Sequence, residues 1–283
     1  MTQNEDWDLI IKPKSKWYQL DLGAIWKYRD LLLLLVRRDF VSVYKQTILG
    51  PIWFFIQPII TTITFTVVFG YLAKISTDGI PSLLFYLSGI TLWTYFSDCL
   101  NKTSNTFIAN ASVFGKVYFP RLIVPLSVLF SNLFKFGIQF FLFVVVWIYF
   151  LITNHSVHPN WNLIWLLPLL VFVMAGLGLG FGIFISSITT KYRDFSFLVA
   201  FGVQLLMYAT PIVYPMSLVS DKLRFYVLLN PLTSIVETFK YIFLGAGYFS
   251  WGSLIYSFTF MCLLLYGSIL LFNKTEKNFM DTV

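Results

Sequence analysis

The sequence predicts an all-α polytopic membrane protein, and three observations predict it. Fifty-eight per cent of its 283 residues are apolar and 12% are charged, with a mean hydropathy of +0.76, whereas a water-soluble domain carries roughly 25% charged residues. No Asp, Glu, Lys or Arg occurs in 46–73, 136–190, 195–220 or 241–273, and roughly 20 apolar residues suffice to cross about 30 Å of hydrocarbon. Third, most of the 20 Lys and Arg residues fall on one side when the apolar runs are threaded through a bilayer, as the positive-inside bias requires. Six transmembrane helices are expected near 50–73, 80–100, 122–151, 162–188, 195–216 and 251–272.

Residues 1–20 read as a cytoplasmic tail. Asn4, Glu5, Asp6 and Asp8 precede no short apolar core with a cleavage site, so no removed signal peptide is expected and the first span serves as its own targeting signal. Residues 21–45 read as an interfacial amphipathic helix, with Asp21 as N-cap. Leu22, Ile25, Leu32, Val36, Phe40 and Val43 share one face, largely opposite Lys27, Asp30, Arg37 and Arg38. The apolar stretch 31–36 is too short to span. This helix is either an anchor, or a place where Arg37, Arg38 and Lys45 meet an anionic lipid head group.

Residues 46–273 form the predicted six-span domain. Gly50-Pro51 turns the chain into the bilayer, and Pro58 allows a kink by freeing a carbonyl. Trp53, Tyr71, Trp93 and Tyr95 are interface anchors or packing rings, or else they line a conduit whose flat faces touch sugars. Asp98 reads as a solvated carboxylate ending the second span, and Cys99 and Cys262 as small buried side chains. Residues 107–125 cannot cross, because they carry Lys116, Arg121 and Pro120; they form a short elbow at the inner surface. An ordinary basic turn explains those charges. Exposed Phe114, Tyr118 and Phe119 inside a rim of Lys116 and Arg121 suit anchors for a partner.

Asn132, Lys135 and Gln139 share one face of the third span. A cation there faces protein or water, so Lys135 is either paired structurally or directed at the conduit. Gly176, Gly178, Gly180 and Gly182 permit close helix packing. Residues 216–247 read as a re-entrant helical hairpin from the outer side, its two short helices separated by the cap pair Asn230-Pro231. Glu237 and Lys240, one turn apart, either pair with each other or help close an exit. Residues 274–283 form a second cytoplasmic tail, since six spans place both termini on the Lys/Arg-rich side.

No G-x-x-x-x-G-K-[ST] string occurs, so the chain holds no P-loop ATP site, and His155 and His158 do not form a metal set. The charge excess of +7 is an inner-surface bias and not a nucleic-acid patch. Scattered Asp98, Glu237 and His residues argue against a membrane-embedded transferase. The lack of mid-membrane acids and of an inverted repeat argues against an ion-coupled transporter.

The string Tyr44-Lys45-Gln46-Thr47-Ile48-Leu49-Gly50-Pro51-Ile52-Trp53, followed by Gln57-Pro58, resembles the start of the first span in membrane subunits of ATP-binding-cassette polysaccharide exporters, which move O-antigen or teichoic-acid chains on a polyprenyl carrier. Lys116-Val117-Tyr118-Phe119-Pro120-Arg121-Leu122-Ile123-Val124-Pro125 resembles their second-to-third loop, and Thr190-Lys191-Tyr192-Arg193-Asp194-Phe195 their fourth-to-fifth loop. The resemblance implies a permease without its own ATPase site, working as a homodimer with two copies of a nucleotide-binding subunit that holds ATP and Mg. It implies residence in the bacterial cytoplasmic membrane, coupling to the ATPase through the elbow (Phe114, Lys116, Tyr118, Phe119, Arg121), and an outer gate at Asn230, Pro231 and Glu237. A polyprenyl-pyrophosphate-linked glycan would be admitted near Arg37, Arg38 and Lys45 and pass Trp53, Tyr71, Trp93, Tyr95 and Lys135. A sister permease for teichoic acid, plain lipids or drugs shares this architecture.

Overall fold

A computed structural model describes residues 22–45, 50–110, 114, 117, 119–153, 156–189 and 194–278, and every described element is helical. Two helices, α1 (Leu22–Lys27) and α2 (Arg29–Tyr44), precede the first apolar run. Gly50 takes φ +51° at the start of a 3₁₀ turn (Gly50–Ile52), a left-handed conformation that costs glycine nothing and re-aims the chain into α3 (Trp53–Phe65). α3 runs through Pro58 and continues as a π-helical stretch, Thr66–Leu72.

The order continues with α4 (Ser82–Ser104), the four-residue α5 (Thr106–Ala109) and the long α6 (Ile123–Thr153). A 3₁₀ segment (Trp161–Leu166) leads into α7 (Leu167–Thr189), which is followed by α8 (Phe195–Ala209). Another 3₁₀ turn (Met216–Leu218) precedes α9 (Asp221–Leu229), α10 (Pro231–Leu244) and α11 (Trp251–Asn278).

Among the described residues, four stretches are long and apolar enough to cross a membrane: Trp53–Leu72, Ile123–Thr153, Trp161–Thr189 and Trp251–Thr275. A fifth results if α9 and α10, bent by 104° at Asn230, are counted as one broken span. The other two predicted spans are present as helices that do not meet the same test. α4 is 23 residues long, about 34 Å at 1.5 Å per residue, but it is rich in Ser and Thr. It tolerates them because its neighbours are α3, α6, α7, α8 and α10; Ser88 and Thr91, for example, donate to the carbonyls of Phe85 and Leu87. α8 is apolar, but its 15 residues reach only about 22 Å.

Two pairs of glycines let α7 serve as the spine of the bundle. A Cβ on Gly178 would lie 2.9 Å from Cys99 Cβ, and one on Gly182 would lie 2.5 Å from Thr103 Cβ, so α4 sits directly against the α7 backbone. Gly176 and Gly180 face Met261 and Leu264 of α11 on another side. Cys99 is buried in this contact, whereas Cys262 is exposed on α11, contrary to the expectation that both are buried.

The main core gathers Phe85, Tyr86 and Phe96 of α4 with Phe143 of α6 and Phe239 and Phe243 of α10. α10 is buried along nearly its whole length, while no residue of α9 is buried. Its C-terminus ends at Gly245, whose φ of +75° provides the left-handed stop and whose position against the His158 backbone leaves no room for a side chain. The last four carbonyls of α10, orphaned by helix geometry, are all taken. Asn160 Nδ2 donates to Tyr241 O (2.8 Å) and Asn160 N to Ile242 O (2.8 Å). Trp147 Nε1 donates to Phe243 O (2.7 Å), and His158 N to Leu244 O (3.3 Å).

Candidate functional site

At one end of the bundle a second, smaller core joins six parts of the chain. Leu35 of α2, Phe107 of α5, Phe114 and Phe119 of the elbow, Ile123 of α6, Ile183 of α7 and Phe272 of α11 are all buried in it. Phe114 and Phe119 meet in a tilted pair with ring centroids 5.7 Å apart, Phe107 lies 6.0 Å from Phe114, and the Arg121 guanidinium sits 5.5 Å from the Phe114 ring centroid. The expectation that Phe114 and Phe119 are exposed anchors is therefore corrected: each is 6% exposed and braces the elbow from within. Val117 and Ile108 are the exposed large apolar residues among the described residues of the elbow; Lys116 and Tyr118 lie outside the described residues. An alternation of charge and aromatics around Pro120 does not tell an anchor from a brace, because the burying partners Leu35 and Phe272 are far away in sequence.

The same core corrects the reading of α2. Its stripe of Leu32, Val36 and Phe40 meets protein and not lipid: α2 packs along α6, Leu35 and Val36 are buried, and Phe40 stacks on Phe54 of α3 at 5.9 Å. What α2 leaves exposed is Leu33 and Leu34 interleaved with Arg37 and Arg38, and Lys45 follows, also exposed. Arg38 donates to the Asp39 carboxylate at 2.8 Å. Arg37, Arg38 and Lys45 are thus all accessible on one segment.

A polar seam runs between α4 and α6. Lys135 Nζ donates to Asp98 Oδ2 at 2.5 Å, and one turn further along α4 Lys102 Nζ donates to Asn132 Oδ1 at 3.0 Å. Both side chains of the ion pair are mostly covered. Of the two readings of Lys135, the geometry favours the structural pair, and Asp98 is its counter-ion instead of a solvated terminus. Two residues 37 apart in sequence gave no signal of the pairing beyond opposite charge at antiparallel depth. On the far side of α6 an apolar groove of about 490 Å³ opens against α3, lined by Phe55, Phe130, Phe134 and Phe141.

The four candidate conduit rings are not brought onto one surface. Trp93 and Tyr95 are buried within the main core, Tyr95 against Phe136 at 5.1 Å. Trp53 and Tyr71, 46% and 73% exposed, lie on the open side of α3.

At the bend between α9 and α10, Asn230 caps α10, accepting from Leu232 N at 3.1 Å and donating to Thr210 Oγ1 at 2.9 Å, with Pro231 in the first turn. Glu237 and Lys240 are each 1% exposed and pair at 3.6 Å. Lys240 Nζ also donates to Pro211 O at 2.5 Å and sits 3.7 Å from the Phe85 ring centroid, while Glu237 Oε2 accepts from Tyr248 N at 3.0 Å. The pair therefore knots α10 to the loops on either side and to α4. It is not on an open surface where a gate charge would meet cargo.

The ABC-2 type transporter family matches residues 30–244. The chain is 27% identical over 253 residues to an O-antigen export system permease protein RfbA of Klebsiella pneumoniae, covering 89% of this chain and 94% of that one. It is 25% identical to RfbA of Myxococcus xanthus over 77% of this chain and 82% of the relative, and 24% identical to the polysialic acid transport protein KpsM of Escherichia coli over 85% and 91%. The matched family region begins within α2 and closes at the end of α10, so it contains the elbow, the polar seam and the capped bend, and the chain belongs to the ABC-2 type transporter family as a membrane permease subunit.

Proposed function

We propose that this permease exports a polyprenyl-pyrophosphate-linked polysaccharide, O-antigen-like, across the bacterial cytoplasmic membrane, driven by a separate ATP-hydrolysing subunit. The near end-to-end similarity to O-antigen export permeases carries this reading, and the braced inner elbow supports it, since a stroke imported from outside needs a stiff place to land. In this reading two copies of the chain assemble with two ATPase subunits, and both termini are cytoplasmic. α3, α4, α6, α7, α8 and α11 provide six crossings, and α9 with α10 forms the re-entrant outer hairpin.

The residues take roles within that reading. Val117, with Lys116 and Tyr118, presents the elbow to the ATPase, and Phe114, Phe119 and Arg121 hold its shape. Arg37, Arg38 and Lys45 greet the pyrophosphate of the carrier at the inner leaflet, where a cation near an anionic surface contributes about 1 kcal/mol. Trp53 and Tyr71 face the conduit between the two copies, and Asn230 and Pro231 form the outer bend. The similarity to KpsM favours a second cargo, an acidic capsule-type polysaccharide; teichoic acid, other lipids or drugs are further alternatives for the same architecture.

The test is export in cells lacking the gene. Lipid-linked glycan is expected to accumulate at the inner leaflet and to reach the surface again only when this chain and its ATPase are supplied together. Restoration by the chain without any ATPase would overturn the proposal.

A further inference from the structure

α11 is tied at both ends, and its two attachments lie where the elbow and the bend are. At the inner end Phe272, fully buried, stacks on Phe107 with ring centroids 4.6 Å apart and planes 25° apart, and Phe107 continues through Phe114 to Phe119 and Arg121. At the other end Ser257 Oγ donates to Pro231 O at 2.7 Å and lies 2.6 Å from Ser234 Oγ. Tyr256 OH donates to Leu229 O at 2.9 Å. These carbonyls belong to the residues on either side of Asn230, the hinge of the 104° bend.

Phe272 and Ser257 lie on one uninterrupted helix, about 22 Å apart at 1.5 Å per residue. Between them α11 runs beside the glycine face of α7, where Gly176 and Gly180 leave the α7 backbone smooth. Close-packed interiors transmit displacement because they compress little. Small shifts of packed helices are a common way for one site to move another.

We infer that α11 is a transmission rod, carrying displacement of the inner elbow to the α9–α10 bend, with Phe272 as its inner bearing and Tyr256 and Ser257 as its outer attachment. The inference rests on the reading of the elbow as the ATPase landing point. It goes beyond that reading in naming the helix that moves and the residues that position it.

Two links in series fail differently from two independent defects. The experiment uses the complex of this chain with its ATPase and measures export per ATP hydrolysed for Phe272→Leu, for Ser257→Ala with Tyr256→Phe, and for all three together. Each end is expected to lower the ratio at least about fivefold, the small end of measured couplings between sites. The triple variant is expected to match the worse of the two. An unchanged ratio, or losses that multiply, would overturn the rod. Where Phe272→Leu accumulates poorly, the outer pair carries the test, since both changes there remove only a hydroxyl.

A photo-cross-linking residue at position 117 separates the two readings. A cross-link to the ATPase together with an unchanged ratio sinks the rod alone, while no cross-link in the otherwise unaltered complex sinks the elbow reading from which the rod starts.

Discussion

Asp98→Ala leaves Lys135 without its counter-ion deep in the bundle, and the cost can be worked from the geometry. Lys135 is twelve residues into α6, about 18 Å from the first residue of that helix at 1.5 Å per residue, well inside a stretch long and apolar enough to cross a membrane. An unpaired cation at that depth costs about 3 kcal/mol on insertion scales, and breaking a buried pair costs about 3–5 kcal/mol. The Lys135 and Asp98 side chains keep 16% and 26% of their exposure, so water relieves part of this, and about 2–3 kcal/mol of destabilisation is expected for the single change. Asp98→Ala with Lys135→Met removes both charges and is expected to fall within about 1 kcal/mol of the native protein. Denaturant titration in lipid nanodiscs reads the difference. If the double variant is as unstable as Asp98→Ala, the pair is not what holds the seam. If Lys135→Met alone stops export at native stability, the ammonium works on cargo and the structural reading is wrong.

In α10, Lys240→Met strands the Glu237 carboxylate in the core with only Tyr248 N to satisfy it. It is expected to cost about 3–5 kcal/mol, whereas Lys240→Met with Glu237→Leu costs markedly less; equal losses in thermal melts would show that the charges do not act as a pair. Arg37→Glu with Arg38→Glu leaves the buried side of α2 intact, so abundance should stay native while stimulation of ATP hydrolysis by the lipid-linked substrate falls several-fold. Undiminished stimulation counts against these arginines as the head-group contact.

The long apolar runs were legible because a bilayer imposes a length on them, and four of them appear as helices long and apolar enough to cross one. The two short helices around Asn230-Pro231 were legible from cap chemistry that acts over one or two residues, and Asn230 makes the predicted hydrogen bond to Leu232 N. The α2 stripe was legible as a face but not by what covers it, since lipid and a neighbouring helix select the same residues. Phe114 and Phe119 failed for a related reason. Their burial depends on Leu35 and Phe272, and local sequence holds no record of which distant side chain arrives. Trp93 and Tyr95 were ambiguous between wall and filling, and α4, surrounded by other helices, makes them filling.

The complete occupation of the α10 carbonyl end restricts how an exit could open. Sliding or unwinding that end would strip four acceptors of their donors on Asn160, Trp147 and His158 at once, and helix geometry offers those carbonyls no partner of their own. Its opposite end is held by the single-residue corner at Asn230 and a few hydroxyls. In the proposed reading, an exit at this place would widen by pivoting, with the far tip of α10 as the fixed post and exposed α9 as the leaf that swings.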